Sequence, residues 1–213
     1  MERASEEVAQ ADEDYEEFLG KQQPVEALLR RLKTTKEHLR SAVQVKWQAK
    51  DVTDQDCFII ADILKSSTNY TANPTIGVLS LDHNMIGDQG MCAIADVIKI
   101  QNGILAMTSG LWLNHNMIGD EGAAALAAAL KAGGMPKLQK LYLHDNAIGD
   151  EGAAALADAI LNSSEVLDRL RFVYLANNHI TERGRGMIMK AVAKLNRITV
   201  TFDDARPPSP LSF

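Results

Sequence analysis

Residues 138–155 read LQKLYLHDNAIGDEGAAA, and the chain is built from copies of this stretch. Leu138, Leu141, Leu143, Asn146 and Ile148 occupy positions 1, 4, 6, 9 and 11 of the pattern LxxLxLxxNxL. Ile76, Leu79, Leu81, Asn84 and Ile86 fit the same frame. So do Leu111, Leu113, Asn116 and Ile118, with Thr108 weakening the first position, and Leu170, Val173, Leu175, Asn178 and Ile180. The four asparagines are 32, 30 and 32 residues apart. Self-similarity at such a period marks a stacked array rather than a closed globule.

The physics of the unit follows from its pattern. Apolar positions 4 and 6 alternate with polar positions 5 and 7, which describes a strand with one buried face. The chain must then turn inside the stack, where buried amides need partners. Asn carries two donors and an acceptor on one short side chain, so one Asn per unit can satisfy the turn of its neighbour. The IGD triplet closes the turn, and Asp88, Asp120 and Asp150 are expected as N-caps of the following helices. Those helices are Ala-rich over residues 123–130 and 153–160, which suits close packing on the strand beside them. Six parallel strands are predicted, centred on residues 45–47, 79–81, 111–113, 141–143, 173–175 and 198–200.

Two units, LWLNHNMIGDEG and LYLHDNAIGDEG, carry the motif almost intact. The chain resembles the leucine-rich repeat family, specifically its ribonuclease-inhibitor-type branch, and the likeness covers about three quarters of the sequence. The resemblance implies an α/β solenoid, with parallel strands on the concave face and helices on the convex face. It also implies a binding rather than a catalytic role. Short arrays of this kind serve as scaffolds or complex subunits, and longer ones as sensor domains of NOD-like receptors. A permanent structural subunit of a large cytoskeletal or organellar complex is one alternative, and a GTPase regulator of the type that activates Ran is another. Those proteins, however, have many more repeats and an acidic C-terminal tail, whereas the acidic segment here is N-terminal.

Outside the repeats the chain changes character. Residues 1–40 form an N-terminal helical extension. Val8, Ala11, Tyr15, Phe18 and Leu19 share one face of an acidic helix ending at Gly20. Pro24 can open a second, basic helix with Val25, Leu28, Leu29 and Leu32 as its stripe. An open array end exposes apolar surface, so this extension either caps the array or docks on a partner. Residues 41–205 are the array, of about four to five units plus a final strand. The first unit is degenerate, with Lys50 in place of the Asn and Thr53 or Asp54 as helix cap. In the last, Leu195, Ile198 and Val200 are placed at positions 1, 4 and 6. Residues 206–213, Pro- and Ser-rich, are a flexible tail in which Ser209 precedes a proline. Extra length collects between helix and strand, around residues 66–74, 101–110, 133–136 and 162–168, along one edge of the solenoid.

Composition narrows the function. A net charge of −6 gives no basic footprint for nucleic acid. No apolar run approaches 18 residues, so no membrane span is expected. The acidic N-terminus argues against a secretory signal, and an intracellular, cytoplasmic protein is expected. Cys57 and Cys92 are expected as thiols rather than a disulfide. There is no nucleophile motif, phosphate loop or dinucleotide fingerprint, so no enzyme and no cofactor are expected.

Only residues that break the repeat can report specificity. Outward position 5 reads Lys46, Ser80, Trp112, Tyr142, Tyr174 and Thr199; position 7 reads Gln48, Asp82, Asn114, His144, Ala176 and Thr201; position 8 reads Ala49, His83, His115, Asp145, Asn177 and Phe202. With strands about 4.8 Å apart, Trp112, Tyr142 and Tyr174 form a continuous aromatic row. The expectation is an exposed strip that binds another protein, rimmed by His83, His115, His144, Asp82, Asn114 and Asp145. The same histidines and aspartates are suitable zinc ligands. Side chains on one strand face project roughly in parallel, however, so a polar rim is expected in place of a metal site.

Overall fold

The computed structural model describes residues 23–66, 76–162 and 167–203. A helix over residues 23–31 (α1) is followed by α2 (Lys36–Ser41), β1 (Gln44–Lys46), α3 (Asp54–Ser66), β2 (Val78–Ser80) and α4 (Asp88–Ile98). Then come β3 (Gly110–Trp112), α5 (Asp120–Lys131), β4 (Lys140–Tyr142), α6 (Asp150–Asn162), β5 (Phe172–Tyr174), α7 (Glu182–Leu195) and β6 (Thr199–Thr201). The six strands form one parallel sheet in sequence order. Helices α3 to α7 pack neighbour on neighbour in the same order. This is the expected α/β solenoid.

Strands β1 to β5 each cover positions 3 to 5 of their units, one residue earlier than predicted. Positions 4 and 6 still face the helices: Leu79, Leu81, Leu111, Leu113, Leu141 and Leu143 are buried in the main core. The last unit departs from its predicted frame. Val200, not Ile198, pairs with Val173, and Thr201 pairs with Tyr174. The register shift is two residues. A shift of two keeps every side chain on its face, which is why the apolar pattern alone could not fix it.

The conserved geometry of the turn rests on the asparagines. Asn146 Oδ1 accepts from Ile118 N of the preceding unit at 3.0 Å. Its Nδ2 donates to Leu113 O at 2.9 Å and to Leu143 O at 3.1 Å. Asn84, Asn116 and Asn178 repeat the arrangement one unit apart. Asn84 thereby serves the turn at Lys50 and Val52, in the unit that lacks its own Asn.

The aspartates do something different from the capping expected of them. The N-caps of α4 and α5 are Gly87 and Gly119, with no side-chain cap bond, and Asp88 and Asp120 stand one residue inside. Each Asp reaches instead into the next unit. Asp88 Oδ1 accepts from Gly119 N and Gly122 N, both at 2.8 Å. Asp120 Oδ1 accepts from Gly149 N and Gly152 N, both at 2.7 Å. Asp150 accepts from Thr181 N, Thr181 Oγ1 and Gly184 N. The carboxylate therefore satisfies first-turn amides of the following helix, where the dipole also favours it. A Cβ on Gly152 would lie 2.7 Å from Asp120 Oδ1, so the second Gly of IGDEG makes room for the neighbour's carboxylate.

Hydrogen bonds from the Thr181 hydroxyl and amide, more than any other influence, hold the Asp150 carboxyl below its usual value. A carboxyl lowered in the folded state binds fewer protons than in the unfolded chain over the interval between the two values. Stability is then complete above the unfolded value, about 3.9 for Asp, and falls as pH drops through the folded value. Unfolding experiments at a series of pH values from 6 to 2 should show this term. Asp150→Asn is expected to be less stable than wild type at pH 6, with the gap closing at the acid end. A gap independent of pH would rule out the carboxylate as its source.

At the N-terminal end, Leu28, Leu32 and Leu39 join the main core beside Val45, Trp47 and Val52. Arg31 also pairs with Asp56 of α3 at 2.5 Å. Thr35 caps α2 by accepting from His38 N. Thr53 and Asp56 exchange bonds at the start of α3, with Thr53 N donating to Asp56 Oδ2 at 2.8 Å. The acidic helix predicted over residues 8–20 and the tail over 206–213 lie outside the described residues. Of the long connections, that over residues 101–110 is folded inward. Ile104, Leu105 and Thr108 are buried, and the Thr108 hydroxyl donates to Ile76 O at 2.8 Å. Among the described residues no helix is long and apolar enough to cross a membrane.

Candidate functional site

The strand face away from the helices carries the side chains that the repeat does not require. The parallel register places Ser80 beside Trp112, Trp112 beside Tyr142, and Tyr142 beside Tyr174. The three rings stack as a row. Trp112 and Tyr142 have centroids 5.3 Å apart at 11°, and Tyr142 and Tyr174 are 4.6 Å apart at 5°. Phe172, at position 3, extends the row from Tyr174 at 6.4 Å.

The row exists, but its expected exposure does not. Trp112, Tyr142 and Tyr174 are 6%, 1% and 9% exposed and form a small apolar cluster of their own, with Val78 against it. Each ring covers the face of the next. The Trp112 ring also lies over Gly110, where a side chain would collide with it. Asp82 and Asn114, also expected at the surface, are buried too. The Ser80 hydroxyl donates to the Asp82 carboxylate. Burial first, and then the neighbouring Tyr174 phenol and the hydrogen bond to it, push Tyr142 up to about 12. Phe172, at 38% exposed, is the ring of the row that solvent reaches most.

The polar groups lie beside the row, and the backbone explains their arrangement. Position 8 is left-handed in each of the first five units: Ala49, His83, His115, Asp145 and Asn177 have φ between 51° and 55°. Asn, Asp and His tolerate that conformation better than most residues. The turn thus aligns His83, His115, Asp145 and Asn177 as a second row. His83 and His115 stack with centroids 4.1 Å apart at 15°. His144, from position 7, meets His115 edge-on at 5.5 Å and Tyr142 at 6.1 Å. Asp145 Oδ2 lies 3.4 Å from His115 Nε2 and 4.0 Å from His144 Nε2. Its other oxygen, Oδ1, accepts from Asn177 Nδ2 at 3.0 Å. Burial holds His144 below its usual value, against the pull of Asp145.

Of the nine residues predicted to bind a partner, His83 and His115 are exposed and His144 and Asp145 half-buried; the other five are buried. Phe172 and Asn177 are exposed at the same face and were not among the nine. Both occupy outward positions of the repeat, so the frame itself could have indicated them. Cys57 is a buried free thiol, and burial, followed by the charges of Asp54 and Asp56, pushes it well above the usual value. It is therefore poorly suited to nucleophilic chemistry.

A family model described as "Leucine Rich repeat" matches residues 72–95, 111–127 and 134–157. Among solved structures, the chain is similar to leiomodin-1 actin-binding site 2. The TM-score is 0.56 at 18% identity, covering 76% of this chain and 86% of that one. At that identity the likeness speaks for the fold alone. Comparison with curated proteins finds no significant match.

Proposed function

We propose that the chain, a solenoid similar to leucine-rich repeat arrays, is a non-catalytic protein-interaction module that binds a partner over the strand face. The observation that carries this reading is a surface the fold does not need. His83, His115, Asn177 and Phe172 are exposed on a rigid floor of stacked rings, outside the main core. Rigid aromatic and imidazole groups lose little conformational freedom on binding, which suits them as contact points. The buried row of Trp112, Tyr142 and Tyr174 serves as that floor rather than as direct anchors.

Capture from the native source tests the proposal. A protein retained by the wild-type chain is expected to be lost, with affinity falling by about 2 kcal/mol or more, in the His83→Ala/Phe172→Ala variant. The unfolding midpoint should move little, because both side chains are solvent-exposed. Because the similar solved structure is an actin-binding site of leiomodin-1, co-sedimentation with filamentous actin is the first defined assay. A partner retained equally by wild type and variant would place the interface elsewhere, on the helices or the helix-to-strand connections.

A further inference from the structure

We propose that His115, His144 and Asp145 form a binding site for one divalent transition-metal ion of the zinc type, independent of any protein partner. The sequence pattern argued against convergence, since side chains on one strand face project in parallel. The structure removes that objection. Position 8 is left-handed, so His115 and Asp145 leave the strand direction at the turn; His115 comes beside His144 of the next unit, and Asp145 follows His144 directly in the chain. One ligand atom from each of the three residues lies within 4.8 Å of the others.

The distances are close to what an ion requires. Tetrahedral zinc with bonds of about 2.0–2.2 Å sets its ligand atoms about 3.4 Å apart. His115 Nε2 and Asp145 Oδ2 are already 3.4 Å apart. His144 Nε2, 4.0 Å from the same oxygen, needs only a small side-chain rotation to join them. Two imidazoles and one carboxylate suit zinc, cobalt, nickel or copper better than calcium or magnesium, which favour all-oxygen sets.

The supporting groups fit as well. Asn177 Nδ2 holds Asp145 Oδ1, which leaves Oδ2 directed at both histidines. Orienting bonds of this kind to ligating carboxylates are a general feature of metal sites. The His83 ring stacks on His115 and fixes its plane. His115 is 42% exposed at its side chain, so the ion would keep an open position on the solvent side.

Cobalt titration of the full chain, treated with chelator and then freed of it, is the test. Visible ligand-field bands should appear and saturate at one ion per chain, without the near-ultraviolet charge-transfer band that a thiolate ligand gives. Zinc should displace the cobalt. His115→Ala, His144→Ala and Asp145→Asn should each weaken binding at least tenfold, with the far-ultraviolet dichroism unchanged, whereas His179→Ala should bind as wild type does. No cobalt band at micromolar concentrations would overturn the proposal. Binding that survives all three substitutions, or that carries a thiolate band, would overturn it equally.

Discussion

Replacing Asn146 with Ala is expected to lower the unfolding free energy by about 2 kcal/mol. The size follows from how many backbone groups one side chain serves. Asn146 takes the amide of Ile118 and gives bonds to Leu113 O and Leu143 O, all three buried. The Ile118 amide is left without a partner, at about 1–3 kcal/mol, while Leu113 O and Leu143 O each lose one donor and keep Asn116 Nδ2 and Asn178 Nδ2. Domains of this kind unfold with only about 5–15 kcal/mol, and in a solenoid a defect in an inner unit weakens the contacts to both neighbours. Glu121→Ala is the matched control: the side chain is exposed in the first turn of α5 and should change stability by no more than about 0.5 kcal/mol. Urea unfolding of the two variants, with slopes compared as well as midpoints, decides the matter. Equal effects at both sites would mean that the frame placing Asn146 inside the turn is wrong.

The array was legible in the sequence because its repeating residues each answer a backbone demand that recurs with every unit. Leu141 and Leu143 must face the helices, and Asn146 must fill the turn, so spacing alone identifies them. Longer-range couplings were less visible. Asp120 sits beside the start of its own helix, where capping is the natural reading, yet its carboxylate serves Gly149 and Gly152 of the next unit. The signal was present in the joint recurrence of Asp and Gly. In the last full turn, Thr181 replaces the first Gly and supplies a hydroxyl to Asp150, while Gly184 keeps the space. Glu182 then stands where the Asp would be.

The outward face was harder because periodicity says which side a residue takes but not how its neighbours cover it. Alternation placed Trp112, Tyr142 and Tyr174 correctly on one face and correctly adjacent. Their stacking, and hence their burial, depends on ring orientation, which no pattern encodes. The same holds for His115, His144 and Asp145. Their convergence comes from a left-handed turn residue, and the frame alone does not reveal that φ.

Tyr142→Ala is where the buried row and an exposed row give opposite results. An exposed contact residue would lose partner affinity and leave unfolding nearly unchanged. Tyr142 is instead 1% exposed, stacked between Trp112 and Tyr174 and touched at its edge by His144. Removing the ring takes away the central member of the cluster and opens a cavity between two neighbours whose backbones are fixed by the sheet. Truncating a buried aromatic in this way costs about 3–5 kcal/mol, and stacked pairs add roughly 0.5–1.5 kcal/mol beyond area burial. Tyr142→Ala is therefore expected to be destabilised by about 3 kcal/mol or more in denaturant unfolding. Tyr142→Phe keeps both stacking faces and loses only the hydroxyl, so it should fall by about 1 kcal/mol or less. Phe172→Ala, beside Tyr174 on the same strand, should cost less than Tyr142→Ala, about 1 kcal/mol, since its ring is already 38% exposed. If Tyr142→Ala unfolds with the wild-type midpoint, the central ring is not buried in solution, and the row itself must then be the contact surface.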